Sequence, residues 1–223
     1  WENRNTNFLY GQPDGGPTHD APQNGYLNRS RVSLDYIPRD NNHPYRPAII
    51  FRMAEAYLSY AEALNESSER MSHKQEILDN LNKIRHRAGI AEYGTGTDEN
   101  GFTRIKINFS DQKEVRRLIH KERRVEFVGE GVRYHDLRRW KTAHYGIGNL
   151  NEQGENPDWG VNGPDYGMNY YGTEYTDQGD NAFFKRTKYM DRVYPRKFYW
   201  YPIHQSEIDK DPTLVQGPFW LGE

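Results

Sequence analysis

The chain has 223 residues, with 30 Lys and Arg against 32 Asp and Glu, a formal net charge of -2 and no cysteine. A nearly neutral chain has no overall field to attract polyanions, which argues against nucleic-acid binding. The lack of cysteine excludes disulfides, thiolate metal sites and a cysteine nucleophile within these residues. No apolar run reaches the roughly 18 residues that a membrane span needs, and no signal peptide is visible.

The first 45 residues are rich in glycine, proline, asparagine and tyrosine, a composition typical of irregular structure. Within them, the stretch Arg31 to Ile37 alternates Val32, Leu34 and Tyr36 with polar neighbours, which predicts a short strand. We therefore expect residues 1–45 to form an aromatic-rich loop that contains one strand.

Two amphipathic helices are predicted next. From Ala48 to Glu66, apolar residues recur every three or four positions, the period of a helix with one buried face. This apolar stripe comprises Ile50, Met53, Ala54, Tyr57, Ala61 and Leu64. A second helix is predicted from His73 to Ala88, opened by a capping box of Ser72 and Gln75. The pair would form a helical hairpin over residues 48–88.

A second helical hairpin is predicted over residues 111–142. Asp111 and Glu114 form another capping box, which would open a helix that runs to about Val128. Two glycines follow, and a shorter helix would then run to about Trp140. Two such hairpins predict an all-α fold with tetratricopeptide-like packing, long irregular loops and minor β structure.

Charged residues are threaded through apolar ones in the stretch Lys121 to Trp140. On a helical wheel of the third helix, one arc holds the apolar residues Val115, Leu118, Ile119 and Val125. The centre of that arc holds Glu122 and Glu126, which predicts two buried carboxylates. The arginines of this helix, Arg123 among them, would point mostly to solvent.

Three interpretations compete for this carboxylate pair. The acid and base of a glycosidase would need an open cleft, which one buried helix face does not provide. A di-iron site would need Glu-x-x-His spacing, but Val125 and Gly129 occupy the histidine positions. A structural ion-pair network needs arginines inside the packing, because an unpaired buried carboxylate costs several kcal/mol. We expect that network to comprise Glu122, Glu126, Arg133, Asp136, Arg138 and Arg139, with Arg85 and Arg87 as further cations.

Residues 143 to 190 are predicted to be irregular, and the aromatic-rich loop is expected to extend to about residue 200. An irregular segment this long in a compact domain is usually functional. Its candidate ligand-binding rings are Trp159, Tyr166, Tyr170, Tyr171 and Tyr175. Sugars present flat C–H faces that stack on such rings, although the same rings could simply pack the loop. This loop is the candidate surface for glycan capture.

The end of the chain predicts a short extended piece at KFYWYPI and a one- or two-turn helix at SEID, capped by Ser206. The eight histidines are scattered without a convincing ligand spacing, so no metal site is expected. No G-x-S-x-G motif or phosphate-binding loop is present, and no cofactor is expected.

Four stretches carry a resemblance to a known family: RPAIIFRMAEAYLSYAEALNE, LNKIRHRAG, KERRVEFVGEGVRYHDLRRW and YPIHQSEIDKDPTLVQGPFW. Together they span Arg46 to Trp220 and resemble the C-terminal region of the SusD/RagB family of outer-membrane nutrient-binding lipoproteins. The resemblance implies an all-α tetratricopeptide-based scaffold on the bacterial cell surface. It also implies a lipid anchor that this chain does not carry, and a TonB-dependent transporter as partner.

Three functions follow as hypotheses. The first is a non-catalytic protein that captures oligosaccharide or polysaccharide for import through the transporter. The second is an interaction module that docks the transporter without contacting sugar, and the third is a glycoside hydrolase. Because members of the family are longer and the chain opens at Trp1 without an initiating methionine, we expect residues 1–223 to be the C-terminal domain of a longer protein.

Overall fold

A computed structural model describes residues 7–15, 24–26, 33, 35, 44–45, 48–146 and 160–221. The chain divides into two compact units. The helical unit comprises Arg31–Asp136, and the loop unit comprises Trp1–Ser30 together with Leu137–Glu223. The predicted strand at Arg31–Ile37 lies outside the described residues, apart from Ser33 and Asp35.

Most of the regular secondary structure in the described residues is helical. The first four helices are α1 (Met53–Glu66), α2 (Lys74–Arg87), α3 (Gln112–Glu126) and α4 (Val132–Arg139). The last residues of α4 belong to the loop unit. Helix α1 packs against both α2 and α3. The predicted fold class, helical hairpins with irregular loops and minor β structure, is confirmed.

Helix α1 begins at Met53. The start predicted from the sequence, Ala48, is therefore wrong. Ile50, a member of the predicted apolar stripe, is 97% exposed. The reason lies at Arg52, which precedes the helix in an extended conformation with φ -140° and ψ 154°. Its guanidinium donates to the Glu130 carboxylate at 2.7 and 3.0 Å and lies 4.6 Å from the Phe127 ring centroid. These long-range contacts hold the backbone outside the helix.

The predicted capping box at the start of α2 is wrong. The residue that precedes this helix is His73, whose side chain makes no capping bond, and the Ser72 hydroxyl donates to the Glu69 carbonyl instead. Of the box predicted for α3, the Asp111 half is confirmed, because the Asp111 carboxylate accepts two backbone N–H groups of the first turn. The reciprocal half is not observed, since the Asp111 N–H donates to the Asn108 carbonyl at 3.1 Å. Gly89 ends α2 with φ +67°, the left-handed conformation that favours glycine.

The core of the helical unit is an apolar cluster in which the helices contribute residues at helical spacing. Its fully buried members include Leu58, Ala61, Ile77, Leu81, Val115 and Ile119. Val125, which the wheel placed on the same arc, is 63% exposed. At this end of α3 the inward positions are filled by Arg123 and Phe127, each 3% exposed, so the buried face is rotated away from Val125.

The loop unit contains a small sheet within the segment predicted to be irregular. Strands β1 (Gly163–Met168) and β2 (Arg186–Arg192) pair antiparallel, with an irregularity between Asp165 and Tyr166. The Met168 N–H also donates to the Asn24 carbonyl at 3.0 Å. A Cβ at Gly167 would lie 2.4 Å from that same oxygen, so only glycine admits this close approach.

The C-terminal elements differ from their predictions in detail. The piece expected to be extended contains a short 3₁₀ helix at Arg196–Tyr199. Helix α5 (Gln205–Lys210) forms as predicted, but its cap is His204 rather than Ser206. The His204 ring accepts the backbone N–H of Ser206 through Nδ1, so the serine sits in the first turn instead of before it.

Asp98 organises the loop that follows α2. Its carboxylate accepts backbone N–H bonds from Glu92, Asn100 and Phe102 at 3.1, 3.0 and 2.8 Å. The pKa of the Asp98 carboxyl lies below its ordinary value. Burial acts to raise this pKa, but the three backbone hydrogen bonds act to lower it and together outweigh burial. The stabilisation is therefore present above the unfolded-state pKa and is lost as pH falls through the lower folded-state pKa.

Asp98→Asn should accordingly lower the melting temperature near neutral pH and have a shrinking effect as the solution is acidified. Thermal melts of both proteins from about pH 7 to about pH 3 test this expectation. Glu99→Gln, at an exposed position of the same loop, is the matched control and should leave the melting temperature unchanged at every pH. A difference between Asp98→Asn and wild type that stays constant across the series would contradict the assignment.

Candidate functional site

We use the name tyrosine cluster for four tyrosines of the loop unit: Tyr10, Tyr170, Tyr171 and Tyr175. The first three have neighbouring rings, and Tyr175 is linked to the N-terminal segment that carries Tyr10. The ring centroids of Tyr170 and Tyr171 are 4.3 Å apart, and those of Tyr10 and Tyr171 are 5.6 Å apart. Tyr10, Tyr171 and Tyr175 are exposed by 43%, 56% and 51%. Part of each of these three tyrosines is therefore accessible to a ligand.

Hydrogen bonds between two distant segments hold the cluster in place. The Tyr10 N–H donates to the Gly172 carbonyl at 2.9 Å. The Tyr175 hydroxyl accepts the Phe8 N–H at 2.8 Å and donates to Asn7 Oδ1 at 3.0 Å. Because these bonds join the two segments before any ligand arrives, less conformational entropy would be lost on binding.

The chain behind the cluster leaves no room for a side chain at Gly172. A Cβ there would lie 2.5 Å from the backbone nitrogen of Phe183. The Tyr175 ring packs against Phe183, which is 5% exposed, and against Phe184, which is 51% exposed. The cluster therefore has a buried aromatic support on one side and an additional exposed ring beside it.

The remaining predicted rings lie elsewhere. Tyr166 is in β1, where the Arg186 guanidinium lies 4.1 Å from its ring centroid, and it makes no ring contact with the tyrosine cluster among the described residues. Trp159 falls outside the described residues. Tyr10 was not singled out from the sequence, since nothing in the loop composition links it to residues 170–175. The only local indication was its place beside the turn-forming GQPDGG.

The phenols of the cluster suit recognition of hydroxyl groups. The Tyr170 hydroxyl donates to the Tyr171 oxygen at 3.0 Å. This hydrogen bond raises the pKa of the Tyr170 phenol above its ordinary value, so the group stays neutral and protonated at neutral pH. Phenol hydroxyls can both donate to and accept from sugar hydroxyls, while the ring faces offer apolar contact.

The predicted carboxylates of the helical unit are held by arginines. Glu122 Oε1 accepts from Arg85 Nη1 at 2.5 Å and from the Tyr93 hydroxyl at 2.8 Å. Burial, followed by the charge of Glu122 and this hydrogen bond, raises the pKa of the Tyr93 phenol. Glu126 accepts from Arg87 at 2.6 Å and also from Arg52. Carboxylates saturated in this way are poor proton donors and acceptors for catalysis.

Asp136 forms a separate pair with Arg123. The two guanidinium nitrogens Nε and Nη2 donate to the two Asp136 oxygens at 2.9 and 3.0 Å, and both residues are 3% exposed. The prediction that Arg123 points to solvent is wrong, because its charge is neutralised bidentately inside the packing. This is the most deeply buried of the ion pairs described above.

The other predicted members of the network, Arg133, Arg138 and Arg139, all lie in α4. Arg138 donates to the Tyr199 carbonyl at 2.6 Å, and its guanidinium lies 5.2 Å from the Tyr201 ring centroid. The Arg139 guanidinium lies 4.9 Å from the Trp140 ring centroid. The participation of Arg133 and Arg139 in the ion-pair network stays a prediction.

Two other kinds of feature are absent from the described parts of the chain. These parts contain no group of three or more His, Asp or Glu side chains that could hold a metal ion. In the same residues, no helix is both long enough and apolar enough to cross a bilayer.

A sequence model of the SusD family matches residues 2–220. Two curated proteins of Formosa agariphila, SusD-like protein P25 and SusD-like protein P38, are each 32% identical to the chain, over 109 and 103 residues. These matches cover 49% and 46% of the chain, but only 18% and 19% of the two relatives.

Two solved structures are similar in fold. A SusD-like protein of Bacteroides fragilis, BF3747, superimposes with a TM-score of 0.51 and 27% identity over 77% of the chain. The protein BT4246 gives a TM-score of 0.50 and 28% identity over 78% of the chain. The superposed regions cover 26% and 25% of those proteins, so the similarity extends to about a quarter of each.

Proposed function

The chain belongs to the SusD family, and from this premise we propose that it is a non-catalytic module that captures oligosaccharide or polysaccharide for uptake. Membership of the family supports a carbohydrate-binding role in nutrient uptake at the level of the family. The observation that carries the proposal for this chain is the tyrosine cluster, which has three exposed tyrosines and whose two chain segments are joined by hydrogen bonds from the Tyr10 and Phe8 N–H groups.

The chemistry of capture follows from the rings and the phenols. A pyranose face would lie against Tyr10 or Tyr171, and the Tyr170 and Tyr171 hydroxyls would bind the sugar hydroxyls at the ring edge. Each stacked ring should contribute about 1 kcal/mol, by analogy with aromatic pairs. Binding spread over several weak contacts allows a glycan to be held and then released, as transfer to a transporter requires.

We propose that the full-length protein acts at the cell surface. There it would be lipid-anchored in the outer membrane, with a TonB-dependent transporter as its partner. This part of the proposal rests on the resemblance of the four sequence stretches to the SusD/RagB family. The arginine-saturated carboxylates of α3 support a binding protein over a hydrolase, because neither Glu122 nor Glu126 is poised for acid–base chemistry.

Tyr171→Ala and Tyr10→Ala should each weaken glycan binding about fivefold, since about 1 kcal/mol of stacking is lost. The melting temperature should not change, because both rings are substantially exposed. Calorimetric titration with a panel of polysaccharides measures the affinity. Tyr171→Phe keeps the ring but removes the hydroxyl, so it should weaken binding less than Tyr171→Ala does. Tyr45→Ala, at a tyrosine of the helical unit that is 90% exposed, is the matched control.

Two results would overturn the proposed site. If the cluster variants bind as tightly as Tyr45→Ala, the rings do not contact the glycan. If they lower the melting temperature as much as a core substitution would, the rings serve packing alone. Reducing-sugar release during the same incubations would contradict the non-catalytic assignment.

A second candidate function is docking of the transporter without contact with sugar. Four apolar side chains just before α1 and at its first residue, those of Ile49, Ile50, Phe51 and Met53, are 65%, 97%, 60% and 58% exposed. Several exposed apolar side chains close together in the sequence are typical of a surface that binds another protein. The glycan panel separates the two functions, because docking alone predicts that no member of the panel binds.

A further inference from the structure

A pocket of about 200 Å³ lies in the loop unit, among residues that follow α4 and residues near the C-terminus. Four aromatic rings, the imidazole of His144 and the two cations Lys141 and Arg196 line it. No carboxylate of the described residues is among the lining side chains. We call it the cationic pocket.

The backbone around this pocket is strained. Lys141 and Phe219 have φ values of +59° and +66°, the left-handed region that residues with a Cβ rarely adopt. They are the only residues other than glycine with such values in the described parts of the chain, and both line the pocket. Strain of this kind persists only when the surrounding structure holds it, and it is concentrated at ligand sites.

The Lys141 ammonium contacts two aromatic rings and forms no ion pair with a carboxylate of the described residues. It lies 4.8 Å from the Tyr199 ring centroid and 4.9 Å from the Trp200 ring centroid. Ring faces attract a cation and fix its position, but they carry no net charge. Among the described residues no carboxylate lies within ion-pair distance of this ammonium, so its full charge faces the pocket.

Two of the side chains that line the pocket are held by hydrogen bonds, and two others are partly exposed to solvent. The Tyr199 hydroxyl lies 2.8 Å from His144 Nδ1 and accepts the His144 backbone N–H at 3.2 Å, which fixes these two side chains against each other. Trp200 and Phe219 are 38% and 40% exposed, with ring centroids 5.9 Å apart. Two partly exposed rings beside two cations offer both an apolar face and an anion-binding edge.

We propose that the cationic pocket binds an acidic sugar residue, with its carboxylate or sulfate group facing Lys141 and Arg196 and its ring face against Trp200 or Phe219. The pocket is smaller than the roughly 300–1,000 Å³ typical of sites for drug-sized ligands, which suits one sugar residue rather than a long chain. This inference rests on the proposed function and specifies it: the captured glycan is anionic.

The test is a calorimetric comparison of three oligosaccharides of equal length: neutral, uronate-containing and sulfated. The wild-type chain should bind one or both of the acidic sugars more tightly than the neutral sugar, and added salt should weaken only the acidic binding. Lys141→Gln should weaken acidic binding about tenfold and leave neutral binding unchanged. Lys141→Arg, which keeps the charge, should retain most of the affinity.

Lys188→Gln is the matched control, since Lys188 is an exposed lysine of β2 that pairs with Asp191. Equal affinity for acidic and neutral sugars, or equal behaviour of Lys141→Gln and Lys188→Gln, would overturn the inference. Binding of inorganic sulfate without binding of either acidic sugar would also overturn it. If only the neutral oligosaccharide binds, and Tyr171→Ala abolishes that binding, the proposed function stands and the inference of an anionic glycan fails. If none of the three oligosaccharides binds, both the proposed function and this inference fail.

Discussion

Replacing Asp136 with alanine should lower the free energy of unfolding by about 3–5 kcal/mol, because it strands a buried guanidinium. Arg123 donates two hydrogen bonds to this carboxylate, and the two side chains are 3% and 5% exposed. Its remaining polar contacts are with Ser59 at 3.1 Å and Glu62 at 4.0 Å, which are too few or too distant to replace the lost partner. The charge would then remain in the packing largely uncompensated.

The matched control for Asp136→Ala is Glu66→Ala. Glu66 also pairs with an arginine of α3, Arg116, but the two side chains are 38% and 21% exposed. A solvated pair of this kind contributes about 1 kcal/mol or less. Urea unfolding followed by the helical circular dichroism signal measures both variants. Equal losses for the two would show that burial of the Arg123 pair is not what stabilises the helical unit.

Glu122→Ala should destabilise the helical unit by a similar amount, about 3–5 kcal/mol, since it leaves the buried Arg85 without its carboxylate. Arg85 keeps its bond to the Ala91 carbonyl at 2.5 Å and its position 4.3 Å from the Tyr93 ring centroid. These neutral contacts do not balance the charge. Glu122→Gln, which preserves the shape and an acceptor oxygen, should cost less.

The same site predicts a pH dependence through Tyr93. Burial and the neighbouring Glu122 raise the pKa of this phenol, so its folded-state pKa lies above its unfolded-state pKa. The stabilisation is thus complete below the unfolded-state value of about 10 and is lost as pH rises from there toward the folded-state value. Tyr93→Phe should remove this part of the alkaline loss. An identical alkaline profile for wild type and Tyr93→Phe would contradict the assignment.

Hydrophobic periodicity was sufficient to identify the long helices and part of the core. Ala61, Val115 and Ile119 lie on the predicted apolar faces and are fully buried, whereas Leu58 is fully buried although it was not among the predicted residues. The burial of Arg123 could not be predicted in this way, because a wheel treats every arginine as polar. Only the position of Asp136 in the folded helical unit shows that the charge is neutralised.

Element boundaries failed where contacts distant in sequence decide them. The start of α1 depends on Arg52, whose partners Glu126 and Glu130 lie 74 and 78 residues away. The sheet was missed because β1 contains glycine and proline, which weaken the alternating pattern of a strand. Its neighbour Asn24, in the N-terminal loop, supplies the hydrogen bond that a local pattern does not indicate.

The candidate site was predictable in composition but not in arrangement. Tyr170, Tyr171 and Tyr175 stood out as rings in a polar loop, and the structure places the Tyr170 and Tyr171 rings beside each other. Tyr10 joins them only because the N-terminal segment pairs with the backbone at Gly172. The cationic pocket was not anticipated either, since Lys141 belongs to no recognisable motif and its left-handed conformation is visible only in the fold.

The most direct test of glycan capture is a crystal structure of the chain with the neutral oligosaccharide that binds best in the panel. We expect density for a pyranose ring with its face against Tyr10 or Tyr171 and a hydroxyl within hydrogen-bonding distance of the Tyr170 or Tyr171 oxygen. Sugar bound elsewhere, with all four rings of the tyrosine cluster free of contact, would contradict the account.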